Sequence, residues 1–321
     1  MQLSAGNLIW EWIDHWDDLP KHTDFAHHDF VIDKLGRIIS GHPAGPKICI
    51  FNTDGKLLET FDVPVADTHG LWLADDDEHG EILYIADVAK KAGVRNGEQG
   101  KIVACTLQGK IIKMLTPDNI PDFNNDDWFS PTAIATDPRN GDVWVTDGYG
   151  THKSYCFTKD FKWKLTIDGT DGAGKFNCPH WIYMDLRKDT PEVYVADRGS
   201  NRIQVYSTEG KFIKTFGEEN FHQPSVFASF GEYMIIGELH ARLIVLDKDD
   251  SVLGYLGDGQ HLLERPGWPN RKDSEGNNVP PSDYEIGIFN SPHGLTADAD
   301  GNLYIAEWVM GGRNTKLKRI S

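Results

Sequence analysis

A six-fold internal repeat constrains this chain more than any other feature. Each unit reads as a short apolar strand ending in Asp, a Gly turn, and a second strand ending in a small residue plus an acid. The cleanest copy is SPHGLTADADGNLYIAEW, Ser291 to Trp308. The others run from Ala26 to Pro43, Thr68 to Val88, Ser130 to Gly150, Cys178 to Gly199 and, in degenerate form, Gln223 to His240. Behind most copies comes a pair of β-rich runs joined by a Gly or Asp turn, as in KICIFNTDGKLLETF and RIQVYSTEGKFIKTF, which is a hairpin signature. Two plus two strands at a spacing of roughly 45 residues make the blade of a β-propeller. The last unit has one strand after Trp308, and the N-terminal run Asn7 to Ile13 has no unit of its own. That run is predicted to supply the missing strand and close the ring, removing an open sheet edge. The expectation is an all-β, six-bladed propeller, one domain over residues 1–321, its ring closed by the N-terminal strand. Lys90 to Gly100, Thr116 to Phe129 and Gly257 to Asn290, rich in Gly, Pro, Asp and Asn, are predicted surface loops, and such long loops commonly carry function. The last brings Trp268.

Charge narrows the partners. Thirty-two Lys and Arg against 49 Asp and Glu leave a net charge of −17, which disfavours nucleic acid and anionic membranes. No apolar run approaches the roughly 18 residues of a membrane span. The start, MQLSAGNLIWEWID, shows no basic stretch followed by an apolar one, so no export signal is read there. Cys49, Cys105, Cys156 and Cys178 lie far apart without a CxxC, which predicts reduced thiols and a cytoplasmic setting. The expected partner is a small-molecule substrate; oligomeric state is not legible.

Registering the repeats gives the chemistry. Five residues before each first-strand Asp, or its equivalent, stand His28, His69, Thr132, His180, Ser225 and His293. In a propeller the first strands line the axis, so four histidines at one repeat position suit a divalent transition metal. A lone strand histidine would read as a structural residue; the shared register favours a ligand set. The core set is His69, His180 and His293, with His28 as a fourth. Three imidazoles leave a position for substrate on zinc, the first expectation. A fourth ligand opens the site to Mn, Fe, Co, Ni or Cu. At the second-strand ends, recurring acids read mainly as scaffold for the neighbouring turn, whereas Tyr149, Arg198 and His240 differ in chemistry, and His42 falls nearby. Near a metal and an Arg, a Tyr can act as a base, and an Arg can hold a carboxylate through two parallel hydrogen bonds.

These residues resemble a known family. The repeats are similar to NHL-type propellers, and specifically to the lyase that cleaves peptidyl-α-hydroxyglycine to a peptide amide and glyoxylate. The similarity runs over most of the chain, best from Ser130 to Asp300. The resemblance implies zinc on His69 (THGLWL), His180 (CPHWIY) and His293 (SPHGLT), a catalytic Tyr149 (TDGYG) and a substrate-binding Arg198 (ADRGSNRIQ). This chain departs from that pattern at His42-Pro43, where the family has a second arginine. Gly150 replaces a disulfide cysteine, Gly294 an acid supporting calcium, and Ser291 a methionine. The metal and the Tyr–Arg pair are kept, while substrate recognition and calcium are changed.

The leading expectation is a metal-dependent enzyme performing lyase-type cleavage or elimination on a small hydroxylated, carboxylate-bearing substrate. Tyr149 would exchange the proton, Arg198 would anchor the carboxylate, and His240 or His42 would assist. A hydrolase or isomerase on the same scaffold stays open. So does a non-catalytic NHL propeller that binds a protein or glycan. A calcium-dependent lactonase type ranks below these, because histidines occupy the positions where it needs Glu, Asn and Asp.

Overall fold

The fold is the expected all-β, six-bladed β-propeller, and among the described residues it contains no α-helix. The computed structural model describes residues 1–321 except 92, 93, 96 and 125. Ala92, Gly93, Asn96 and Asn125, within two of the predicted loops, therefore lie outside the described residues. Five sheets have four antiparallel strands and one has five. Among the described residues no helix is long and apolar enough to cross a membrane. The four cysteines are free thiols, three of them buried.

Two compact units divide the chain: Met1–Ala44, Cys49–Thr60 and Ser225–Ser321 in one, Gly45–Ile48 and Phe61–Pro224 in the other. The second unit carries blades 2, 3 and 4, whose first strands are Leu71–Asp76, Ala133–Thr136 and Pro179–Asp185. Tyr84, Ile102, Phe129, Ile134, Val145 and Phe157 form one buried cluster across blades 2 and 3. The alternation read from sequence places these side chains on the covered faces. In five of the blades an Asp side chain closes the first hairpin, as in blade 3. Asp137 Oδ1 accepts the Arg139 N–H at 3.0 Å, and Gly141 takes the left-handed φ of +76° that the turn requires.

In the first unit, blade 5 runs from Pro224–Phe230 to Val252–Leu256, and most of blade 1 follows Phe30–Ile32. The last blade is Pro292–Ala297, Leu303–Glu307 and Arg313–Arg319, continued by Leu8–Asp14. Trp12 pairs with Leu317 and Ile13 with Lys316, so the N-terminal strand completes this sheet as expected. A further strand, Gln2–Ala5, was not anticipated. It folds back through the two-residue Gly6-Asn7 turn, with Ala5 opposite Leu8 and Gly6 at φ +57°, a Gly-Asn hairpin signal just ahead of the run Asn7 to Ile13. Two of the predicted loops hold short hairpins, Lys90–Lys91 with Val94–Arg95 and Arg271–Lys272 with Asn278–Val279.

Candidate active site

The clearest convergence of functional side chains lies in the second unit, around the Tyr149 hydroxyl. It is 3.0 Å from His180 Nε2, 3.4 Å from His69 Nε2 and 3.5 Å from Arg198 Nη1. Three blades supply these groups. His69 sits in the connection two residues ahead of its strand, and its Nδ1 lies 2.7 Å from the Thr132 carbonyl. A carbonyl only accepts, so in the neutral ring the proton is on Nδ1 and the Nε2 lone pair faces the phenol. This outer hydrogen bond is the device that orients metal-ligating histidines. Gly70 permits the approach, since a Cβ there would lie 2.4 Å from the Thr132 oxygen.

His180 is positioned differently. Its strand pairs Pro179 with Asp197 and Trp181 with Ala196, leaving His180 as the extra residue of a bulge. A bulge re-aims one side chain without shifting the rest of the strand. Arg198 opens a short 3-10 turn after Asp197. Cys178 holds it twice, by its carbonyl to the Arg198 N–H at 3.2 Å and by its thiol to Nη2 at 3.2 Å. Burial pushes the Tyr149 phenol up to about 12, outweighing the neighbouring Arg198 guanidinium, which pulls the other way. At rest Tyr149 therefore carries its proton at neutral pH. Neither Cys178 nor Lys90, whose ammonium lies 4.5 Å from the centre of the Tyr149 ring, was singled out from sequence. Cys178 had only its position two residues before His180 as a signal, and Lys90 only its place at the head of a long segment.

The other predicted site residues belong to the first unit. His293, like His180, is a bulge residue, between the Pro292–Glu307 and Gly294–Ala306 pairs. The ring beside it is that of His27, at a centroid distance of 4.6 Å. His28 instead packs edge-on against Phe30 and bonds through Nε2 to Asn314 Oδ1 at 3.2 Å. Burial, reinforced by nearby His22, lowers the His28 imidazole to about 3. The repeat register chose His28; in the connection before Phe30 no strand periodicity distinguishes it from His27. A Cβ on Gly294 would lie 2.5 Å from the His28 carbonyl oxygen, which explains why the family's acid has no place here. His42 uses both ring nitrogens on loop backbone, Nε2 toward Pro20 O and Nδ1 from Ala44 N–H. His240 meets Trp268 edge-on at 5.6 Å.

The recurring acids do serve as scaffold. Asp147 accepts the Ser130 N–H at 2.6 Å, Asp197 that of Asn177 at 2.6 Å, and Glu307 that of Asn290 at 3.1 Å. Glu307 stands apart because burial raises its carboxyl to about 7, although Arg313 lies 3.6 Å away and opposes the shift. A raised folded-state value means that the stability this group contributes is complete below its ordinary 4.5 and is lost as pH climbs through 7. The Glu307→Gln variant should match wild type at pH 4 and exceed it at pH 8 by up to about 3 kcal/mol. Urea midpoints at the two pH values measure this; equal midpoints at pH 8 would contradict it.

No family model matches the chain. NHL repeat-containing protein 3 of Homo sapiens is 30% identical over 247 residues, 71% of this chain and 67% of that protein. This chain belongs to the NHL repeat-containing protein family. The Mus musculus protein of the same name is 28% identical over 259 residues, 74% of this chain and 70% of its own length. Peptidyl-glycine alpha-amidating monooxygenase A of Xenopus laevis is 27% identical over 224 residues, 67% of this chain but 22% of that longer protein. Among solved structures, a catalytically inactive virginiamycin B lyase from Staphylococcus aureus with quinupristin superposes at a TM-score of 0.60 and 15% identity, covering 97% of this chain and 100% of that one. A gluconolactonase from Xanthomonas campestris gives 0.60 at 13% identity, covering 97% and 90%. At such identities the likeness is one of fold. The chain is thus an NHL propeller related both to NHL repeat-containing proteins and to amidating enzymes.

Proposed function

We propose that this chain is a metal-dependent enzyme performing lyase-type cleavage or elimination at the hydroxylated carbon of a small carboxylate-bearing substrate. The observation that carries the reading is the convergence of His69, His180 and Arg198 on one half-buried phenol. The donor set fits a divalent transition metal. His69 has its Nδ1 proton committed to a carbonyl and its Nε2 lone pair turned inward, and His180 presents its own Nε2 to the same hydroxyl. His69 and His180 would hold the metal, with His293 assigned as a third ligand by the repeat register. Imidazole nitrogens in that number favour zinc. His27, beside His293, is the better candidate for a fourth, because His28 is committed to Asn314. When bound, such a metal polarises a hydroxyl or carbonyl oxygen of the substrate.

The chain's own residues supply the rest. Tyr149, protonated at rest, gives a proton to the departing group and takes one back from the hydroxyl. Arg198, held from two sides by Cys178, offers its remaining donors to a carboxylate. The partial burial of the phenol and of Arg198 strengthens both interactions. The similarity to amidating monooxygenases supports a lyase over a hydrolase or isomerase.

Metal analysis of protein purified without chelator is the direct test. About one metal per chain is expected, with metal and turnover both lost in His69→Ala and His293→Ala. The assay substrates are a synthetic acyl-α-hydroxyglycine and simple hydroxy acids. Wild type with far less than one metal per chain and no activation by added zinc, manganese or iron would sink the proposal in favour of a non-catalytic binding propeller.

A further inference from the structure

Arg139, Arg187 and Arg202 of the second unit each pair with an acid, Asp137, Asp185 and Asp197 respectively. Arg198 does not. Its half-buried side chain reaches the Tyr149 hydroxyl through Nη1 at 3.5 Å and the Cys178 sulfur through Nη2 at 3.2 Å, and among the described residues it meets no carboxylate. A guanidinium held by a phenol and a sulfur keeps N–H groups for an anion from outside.

Cys178 stands in the connection just before the strand Pro179–Asp185, at φ +58°. The backbone of that connection is tied to the Arg198 turn without any help from the sulfur. Cys178 O accepts the Arg198 N–H at 3.2 Å, Asn177 O accepts the Gly199 N–H at 2.7 Å, and the Asn177 N–H reaches Asp197 Oδ1 at 2.6 Å. The two stretches lie so close that a Cβ on Gly199 would be 2.6 Å from the Asn177 carbonyl oxygen. A glycine at 178 would suit the left-handed backbone better, but it has nothing to offer a guanidinium. What the sulfur adds is a contact at the far end of the arginine. Arginine has several rotatable bonds, and one held in place beforehand binds a carboxylate with less ordering cost.

We propose that Cys178 is a positioning residue that acts through Arg198: its sulfur holds Nη2, so that the remaining N–H groups are set in advance for the substrate carboxylate beside Tyr149. This rests on the reading of Arg198 as the carboxylate anchor.

The test titrates glycolate, and separately its neutral counterpart glycolamide, into the purified full chain, with binding followed by ligand-observed NMR. Wild type binds glycolate more tightly than glycolamide. Cys178→Ala leaves the backbone ties in place and removes the contact with Nη2. It should weaken glycolate about tenfold and leave glycolamide unchanged, while Cys178→Ser, whose hydroxyl can accept from Nη2, stays within about threefold of wild type. Cys178→Gly, which the left-handed backbone accommodates, replaces the Ala variant where that one does not fold. If Cys178→Ala binds glycolate as wild type does while Arg198→Met loses it, the role of Cys178 is overturned and the carboxylate reading stands. Equal losses of acid and amide in Cys178→Ala, or a Ser variant no better than Ala, overturn that role too. If Arg198→Met leaves glycolate unmoved, or wild type does not distinguish acid from amide, both readings fall.

Discussion

Tyr149→Phe is expected to lower turnover by about 10²- to 10⁴-fold, the range for loss of a positioned proton-transfer group. Metal content and folding should be untouched. The change deletes one oxygen, and His69 keeps its Nδ1 hydrogen bond to Thr132, so the imidazole stays oriented without the phenol. Arg198 likewise keeps both contacts with Cys178. A stoichiometric metal with turnover gone is the signature to look for, measured by metal analysis beside a rate assay on the same preparation. A variant that retains wild-type turnover removes Tyr149 from the chemistry. One that loses metal and turnover together makes the hydroxyl a support for His69 and His180 instead.

The largest expected effect on stability lies at the N-terminal strand. Trp10 is fully buried, packs edge-on to Phe230 at 6.3 Å, and donates its indole N–H to the Gly301 carbonyl at 2.8 Å. It lies between Leu3 and Arg319 in the five-stranded sheet. Trp10→Ala removes the ring, leaves a cavity and orphans that carbonyl, costing about 3–5 kcal/mol. Trp10→Phe should cost less, since it retains most of the apolar volume. Trp163→Ala, at a side chain 41% exposed, should stay within about 0.5–1 kcal/mol. Urea unfolding of the three variants measures the ordering. A Trp10→Ala midpoint close to wild type would mean that the N-terminal strand does not contribute to the last blade's stability.

Much of this molecule was legible because its pattern is local and repeated. Period-two alternation, Asp and Gly turns, and a strandless N-terminal run next to an incomplete last unit predict the blades and the pairing of Leu8–Asp14 with Arg313–Arg319. Register also placed His69 and His180 at one repeat position, and the structure brings them to a common phenol. What escaped was any feature set by a single residue outside a strand. His27 and His28 are adjacent in a connection, and burial in the first unit decides which ring meets His293 and which meets Asn314. The Gly6-Asn7 turn adds the strand Gln2–Ala5 ahead of the predicted run.

The chain by itself determined the repeat, the strand order and the residue types available to a metal, because each follows from spacing along the backbone. Only the tertiary structure decided how those residues act. The bulges at Pro179–Trp181 and Pro292–Gly294, the Thr132 carbonyl behind His69, the burial that keeps the Tyr149 proton in place and the placement of Lys90 over that ring all depend on neighbours remote in sequence. Orientation and protonation follow from what surrounds a group in space, and repeat spacing does not encode those surroundings.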